Sequence, residues 1–234
     1  VIIINFMTIS VNNMNFFIIQ VPESKFSIAH AKKAYKSVKN FYDNVEIYNG
    51  YDPKRAKKFL KDKTISYRPI HKNIYEWSLE KAKRPGVVGC FASHYSLWEL
   101  CLKLDETICI LEHDARMFSP IIHKDFDGIL QINIEDSNSP SRLYNQLDYK
   151  FDIKTSIKEC YYIKNEIPLA HGTGAYLIKP KDAKILVDLK TYGPADHIMN
   201  GIFFKIYRQL PPSVYLINDG KSLTRNYEQD GQIF

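Results

Sequence analysis

The tetrapeptide Leu111-Glu112-His113-Asp114 is where this sequence concentrates its chemistry. An apolar run, Thr107 to Leu111, ends directly on two carboxylates one residue apart. Side chains at alternate positions of an extended chain face the same side, so Glu112 and Asp114 are placed to converge on one cation. Hard divalent ions take such oxygen ligands and bridge to diphosphate oxygens, acting there as Lewis acids on a departing phosphate. The competing reading is a solvated acidic turn. The buried strand ahead favours a ligand edge, because open α/β folds bind ligands at the carboxyl ends of their strands. His113 is expected to point the other way and reads as a surface or packing histidine, as His94 and His171 do on their own.

Other catalytic signatures are missing. The sequence has no H-E-x-x-H, no G-x-S-x-G and no Gly-rich loop ending in Lys-Ser or Lys-Thr, which removes the usual anchors of zincins, serine hydrolases and P-loop enzymes. Its four cysteines, at 90, 101, 109 and 160, include no C-x-x-C pair. They read as reduced, mostly buried thiols of a cytosolic protein. The net charge of +6 comes from scattered lysines and suits an anionic small molecule as well as a nucleic acid. No run approaches the ~20 apolar residues that span a bilayer.

The elements that must position these groups read as one α/β domain over residues 15–234, with residues 1–14 as an N-terminal extension. A strand at Asn15 to Val21, an amphipathic helix over Ser24 to Tyr42 and a strand at Val45 to Tyr48 form a βαβ unit, which predicts a mainly parallel sheet. Phe26, Ala29, Ala34, Val38 and Phe41 are the expected inward positions of that helix. Residues 51–85 read as a Lys-rich insertion with a weak helix at Pro53 to Leu60, and residues 133–150 as a loop beside the site. A helix runs from the Gly86 segment to about Leu104. Further elements are a possible strand at Glu159 to Ile163, a clearer one at Gly174 to Ile178, helices at Pro180 to Leu189 and Ile198 to Tyr207, and a last strand at Pro211 to Leu216.

Three blocks together resemble glycosyltransferase family 25, the lipooligosaccharide and collagen galactosyltransferase group. Gly86-Val87-Val88-Gly89-Cys90-Phe91-Ala92-Ser93-His94-Tyr95-Ser96-Leu97-Trp98 is similar to its G-x-x-G-C-x-x-S-H-x-x-x-W segment. Ile110 to Ala115 is similar to its L-E-D-D strand end, with His113 in place of the middle carboxylate. Gly172 to Ile178 with Pro194-Ala195-Asp196 is similar to its G-x-x-x-Y-x-I strand and following P-x-D. The resemblance implies a GT-A-like fold, a UDP-sugar donor (typically UDP-galactose), a Mn²⁺-type cation and inverting transfer to a hydroxyl of a lipooligosaccharide or other glycan. It gives Glu112 and Asp114 to the metal, Ser93, His94 and Glu112 to the donor, and Asp196 the role of general base or acceptor-orienting carboxylate.

Each assignment has a plainer alternative. Asp196 can cap the following helix, and Ser93 and His94 can brace a helix against the sheet as readily as face a phosphate at its N-terminus. At the Ile19 to Lys25 segment the chain departs from the family's usual Asn-Leu strand end and Arg-rich spacing. Two other functions compete: a nucleotide- or glycan-binding module without transfer activity, and a nucleic-acid binder, for which no basic stripe with interleaved aromatics is found. The expected partners are a nucleotide sugar and a glycan or glycolipid acceptor, with at most peripheral membrane contact and no nucleic acid.

Overall fold

The computed structural model describes residues 14–69, 79–122, 125–133, 157–159, 163–164, 167–168, 170 and 172–217. Residues 1–13 of the expected extension (1–14), residues 134–150 of the expected loop (133–150), residues 160–162 of the strand expected at Glu159 to Ile163, and His171 lie outside the described residues.

The first strand, β1 (Asn15–Gln20), has both faces buried, as its unbroken apolar run requires. Ser24 caps α1 (Lys25–Lys39), its hydroxyl accepting the Ser27 N–H at 3.1 Å. The buried stripe of α1 is Ser27, Ala31, Ala34 and Val38, while Ala29 faces outward and Phe26 and Phe41 are half-buried. Strand β2 (Val45–Asn49) returns parallel to β1, so the predicted βαβ unit is present. The helix expected at Pro53 to Leu60 in the Lys-rich segment is present and runs two residues further. Asp52 caps α2 (Pro53–Asp62) with bonds from the Lys54 and Arg55 N–H groups, and Ala56 and Leu60 turn into the core.

Helix α3 (Pro85–Leu104) leads to β3 (Ile108–Leu111), followed at once by β4 (Ala115–Met117) and later by β5 (Ile129–Gln131) and β6 (Ile157–Glu159). A small antiparallel ladder joins β7 (Ile163–Lys164) and β8 (Ile167–Pro168). Strand β9 (Ala175–Ile178), α4 (Pro180–Asp188), α5 (Ala195–Ile198), β10 (Ile206–Gln209) and β11 (Val214–Leu216) complete the chain.

The central sheet has the order β2-β1-β3-β9-β5-β10-β6. Five of its seven strands run one way; β9 and β6 run against them. On one face, Phe17, Ile19, Ile108, Ile110, Tyr176 and Ile178 pack under α2, α3 and α4. On the other, Phe16, Ile18, Cys109, Leu111 and Leu177 pack with α1 and the β4–β11 pair.

One expected helix is absent: Ile198 to Tyr207 does not continue as a helix. Asn200 ends it, because its side-chain amide donates to the carbonyls of His197 (2.8 Å) and Ile198 (3.1 Å) and accepts the Ile202 N–H at 3.0 Å. A short polar side chain thus competes with the helix for its own backbone. Of the apolar residues beyond, Ile206 and Tyr207 enter β10, inside the sheet between β5 and β6.

Candidate active site at the end of the third strand

Strand β3 fixes the direction of its terminal residues. Ile108 and Ile110 face α3, and the alternation carries Glu112 to that side and His113 to the other. The His113 ring meets Phe26 and His30 of α1 edge-on, at centroid distances of 5.8 and 6.3 Å. It is buried packing, turned away from Glu112.

The acidic triplet is not extended. The Ala115 N–H closes a tight turn on the Glu112 carbonyl at 3.0 Å. The turn is pinned on both sides, by the Glu112 N–H on the Gly174 carbonyl (2.9 Å) and by the Ile217 N–H on the Asp114 carbonyl (3.0 Å). The alternation that holds along β3 therefore does not set the relation between Glu112 and Asp114. The turn does.

Because β9 runs antiparallel to β3, the start of β9 lies beside the end of β3. This brings Thr173 to Glu112, whose Oε1 accepts the Thr173 hydroxyl at 2.7 Å. From α3, His94 Nε2 stands 3.5 Å from the same oxygen. Its Nδ1 shares a hydrogen bond of 2.9 Å with Tyr176 Oη, which also accepts from Trp98 Nε1 at 2.9 Å. Burial pushes the Glu112 carboxyl up, but His94, the Thr173 hydroxyl and His113 outweigh it and leave the group below the ordinary glutamate value. Glu112 is thus an ionised group with about a quarter of its side chain exposed, 26%.

Cys90 lies one turn before His94 on the same face of α3. Burial raises its thiol well above the ordinary value, and the charges of Glu112, Asp196 and Asp114 raise it further. Asp196 lies in the first turn of α5 and does not cap it: Pro194 occupies the cap position. Its side chain is 24% exposed, with Oδ1 3.9 Å from His197 Nε2.

Ser93 is fully buried and does something different. Its hydroxyl donates to the Gly89 carbonyl at 2.8 Å and accepts the Tyr51 N–H at 2.9 Å, joining α3 to the chain leaving β2. A Cβ on Gly50 would stand 2.6 Å from Ser93 Oγ, and one on Gly89 would stand 2.7 Å from the Tyr51 carbonyl oxygen. Since α3 starts at Pro85, its free N–H groups lie about two turns before Ser93 and His94.

The model of "Glycosyltransferase family 25 (LPS biosynthesis protein)" matches residues 13–199. The chain belongs to glycosyltransferase family 25. A "Glycosyltransferase 25 family member" from Anopheles gambiae is 28% identical over 135 residues, half of this chain. The match covers 22% of that relative's length. The match to the family spans α3, the acidic turn, β9 and Asp196, so all the groups above fall within it.

Sequence reasoning for this family 25 chain missed Cys90 and Thr173 as neighbours of Glu112, and Tyr176 and Trp98 as the groups behind His94. Cys90 could have been found by its helical spacing to His94. Thr173 and Tyr176 reach the site only through the β3–β9 pairing, which no local pattern encodes.

Proposed function

We propose that this family 25 glycosyltransferase transfers a hexose, galactose, from a UDP-sugar to a hydroxyl of a glycan or glycolipid such as a lipooligosaccharide, with inversion. The observation that carries the reading is the acidic turn at the carboxyl end of β3, where Glu112 is held by the Thr173 hydroxyl and faces His94, with Asp114 in the turn that follows. A nucleotide-sugar enzyme needs carboxylates there for two purposes, cation binding and proton removal.

Glu112 and Asp114 would hold the cation, Mn²⁺. Their fit rests on donor chemistry: both offer hard oxygens, Glu112 is held ionised, and both are partly exposed. When bound, the ion would neutralise charge on the departing diphosphate. Asp196 would take the proton from the acceptor hydroxyl. His94, fixed by Tyr176, would orient Glu112 on the donor side. Ser93 would act at one remove, holding the Gly50–Tyr51 segment against α3.

The test is thermal melting with nucleotide diphosphates and sugar nucleotides, with and without Mn²⁺. A ligand that binds only the native state raises its stability by mass action. The expected result is a Mn²⁺-dependent shift with UDP or a UDP-sugar, lost in Asp114→Ala. Undiminished Mn²⁺-dependent binding in that variant would sink the metal assignment.

A second reading, a nucleotide- or glycan-binding module without transfer, draws on His113. The residue standing for the family's middle carboxylate is turned onto α1 and offers the site no oxygen. Binding without turnover in an acceptor screen would favour it. Among the described residues no helix is long and apolar enough to cross a membrane. The proposed reaction, on a nucleotide sugar and a glycan or glycolipid, would be cytoplasmic, with at most peripheral contact with a membrane carrying the acceptor.

A further inference from the structure

We propose that Cys90, His94 and Glu112 form a binding site for zinc, distinct in its donor chemistry from the all-oxygen cation site formed by Glu112 and Asp114. One ligand atom from each of the three residues lies within 4.8 Å of the others. The set is one sulfur, one imidazole nitrogen and one carboxylate oxygen. Thiolate and imidazole select zinc and its softer neighbours, whereas manganese and magnesium favour oxygen.

Three observations support the site independently of the cysteine. His94 is fully buried, yet its Nε2 makes no hydrogen bond. A polar ring atom enclosed without a partner is costly, and this one is aimed at Glu112. The distance between them is the second observation. At 3.5 Å, His94 Nε2 and Glu112 Oε1 are too far apart for a good hydrogen bond. They are near the about 3.4 Å that separates N and O ligands across a tetrahedral zinc with bonds of about 2.0–2.2 Å.

The third is the support behind the ligands. Metal-binding histidines donate their other ring N–H to a fixed partner. With zinc bound, His94 would carry its hydrogen on Nδ1, donating to Tyr176 Oη, itself anchored by Trp98, and give Nε2 to the metal. The Thr173 hydroxyl holds Glu112 Oε1 in the same way. Cys90 and His94 share one face of a long, buried helix, so two of the ligands come from a rigid element. Binding replaces the thiol proton of Cys90, which passes to buffer, by the metal. Three protein ligands leave a fourth tetrahedral position for water or another ligand.

The test uses the whole chain and metal alone, with no nucleotide, so it is read independently of sugar transfer. Zinc is titrated against a chromophoric chelator, and Co²⁺ is titrated as a coloured substitute. The expected result is one zinc per chain, at least tenfold weaker in Cys90→Ser, with a thiolate-to-cobalt charge-transfer band in the wild-type spectrum. Zinc affinity unchanged in folded Cys90→Ser would overturn the site. So would a wild-type cobalt complex without the thiolate band, a result that needs no variant. A protein that binds zinc this way but gives no Mn²⁺-dependent nucleotide shift would keep the zinc site and lose the proposed transfer reaction.

Discussion

His94 Nδ1 and Tyr176 Oη lie 2.9 Å apart across 82 residues of sequence. The bond joins α3 to β9 in a fully buried setting, and Trp98 Nε1 closes on the same oxygen. One phenolic oxygen therefore satisfies two buried ring groups and sets the orientation of the imidazole that faces Glu112. Burial, together with the nearby Cys90 and Glu112, raises the Tyr176 phenol well above its ordinary value despite the Trp98 bond, so it stays neutral.

Tyr176→Phe keeps the ring and deletes that oxygen. A buried polar group left unsatisfied costs about 1–3 kcal/mol, and here Trp98 Nε1 and His94 Nδ1 both lose their partner. The expected loss is about 2 kcal/mol or more in urea unfolding, with weakened Mn²⁺-dependent nucleotide binding. A loss within ~0.5 kcal/mol, the ordinary range of a surface change, would show that the oxygen does not anchor these rings.

Gly89→Ala tests the joint between α3 and the chain leaving β2. Alanine is favoured over glycine inside a helix by about 1 kcal/mol. Against this, the new Cβ would stand 2.7 Å from the Tyr51 carbonyl oxygen, a backbone atom. Such overpacking costs typically 1–3 kcal/mol and outweighs the helical gain. A lowered melting temperature is expected; a raised one would mean that the Tyr51 segment can withdraw from the helix.

The pH dependence of stability has a sign fixed by Glu112. Its native value is lowered although burial opposes this, because His94, Thr173 and His113 favour the charged form. The native state therefore holds its proton less tightly than the unfolded chain. The stabilisation is full above the ordinary value of 4.5 and is lost as pH falls through the lower native value. Glu112→Gln should remove this part of the acid limb, so that the gap between variant and wild type narrows below that pH. A gap constant with pH would exclude Glu112 as a source of acid sensitivity.

The same residues show how far local pattern reaches. The alternation of Ile108, Ile110 and Glu112 sufficed to send Glu112 toward α3 and His113 toward α1, because period two is a property of the strand itself. The βαβ start was legible for the same reason. Thr173 was not, because its place beside Glu112 depends on β9 running against its neighbours, and that register is set by packing across the sheet. Nor was the chain after α5, where apolar spacing favoured a helix over Ile198 to Tyr207 and one asparagine side chain took the backbone groups at its start. Helical spacing put Ala29 inward, but the stripe that meets the sheet passes through Ser27, whose small hydroxyl accepts the Val21 N–H at 2.9 Å.

The proposed base gives the prediction that separates binding from chemistry. Asp196 sits in the first turn of a one-turn helix, where a carboxylate is favoured by the free N–H groups, yet it does not cap that turn. Its charge instead reaches Cys90 together with those of Glu112 and Asp114. Asp196→Asn keeps the shape and removes the ability to accept a proton. If Asp196 takes the acceptor's proton, kcat should fall by about 10²–10⁴-fold, the usual range for a positioned base. The Mn²⁺-dependent melting shift with the nucleotide should remain, because the carboxylates assigned to the cation are untouched. A fall in nucleotide binding with kcat preserved at saturating donor would instead make Asp196 a donor-binding group and leave the base to another residue.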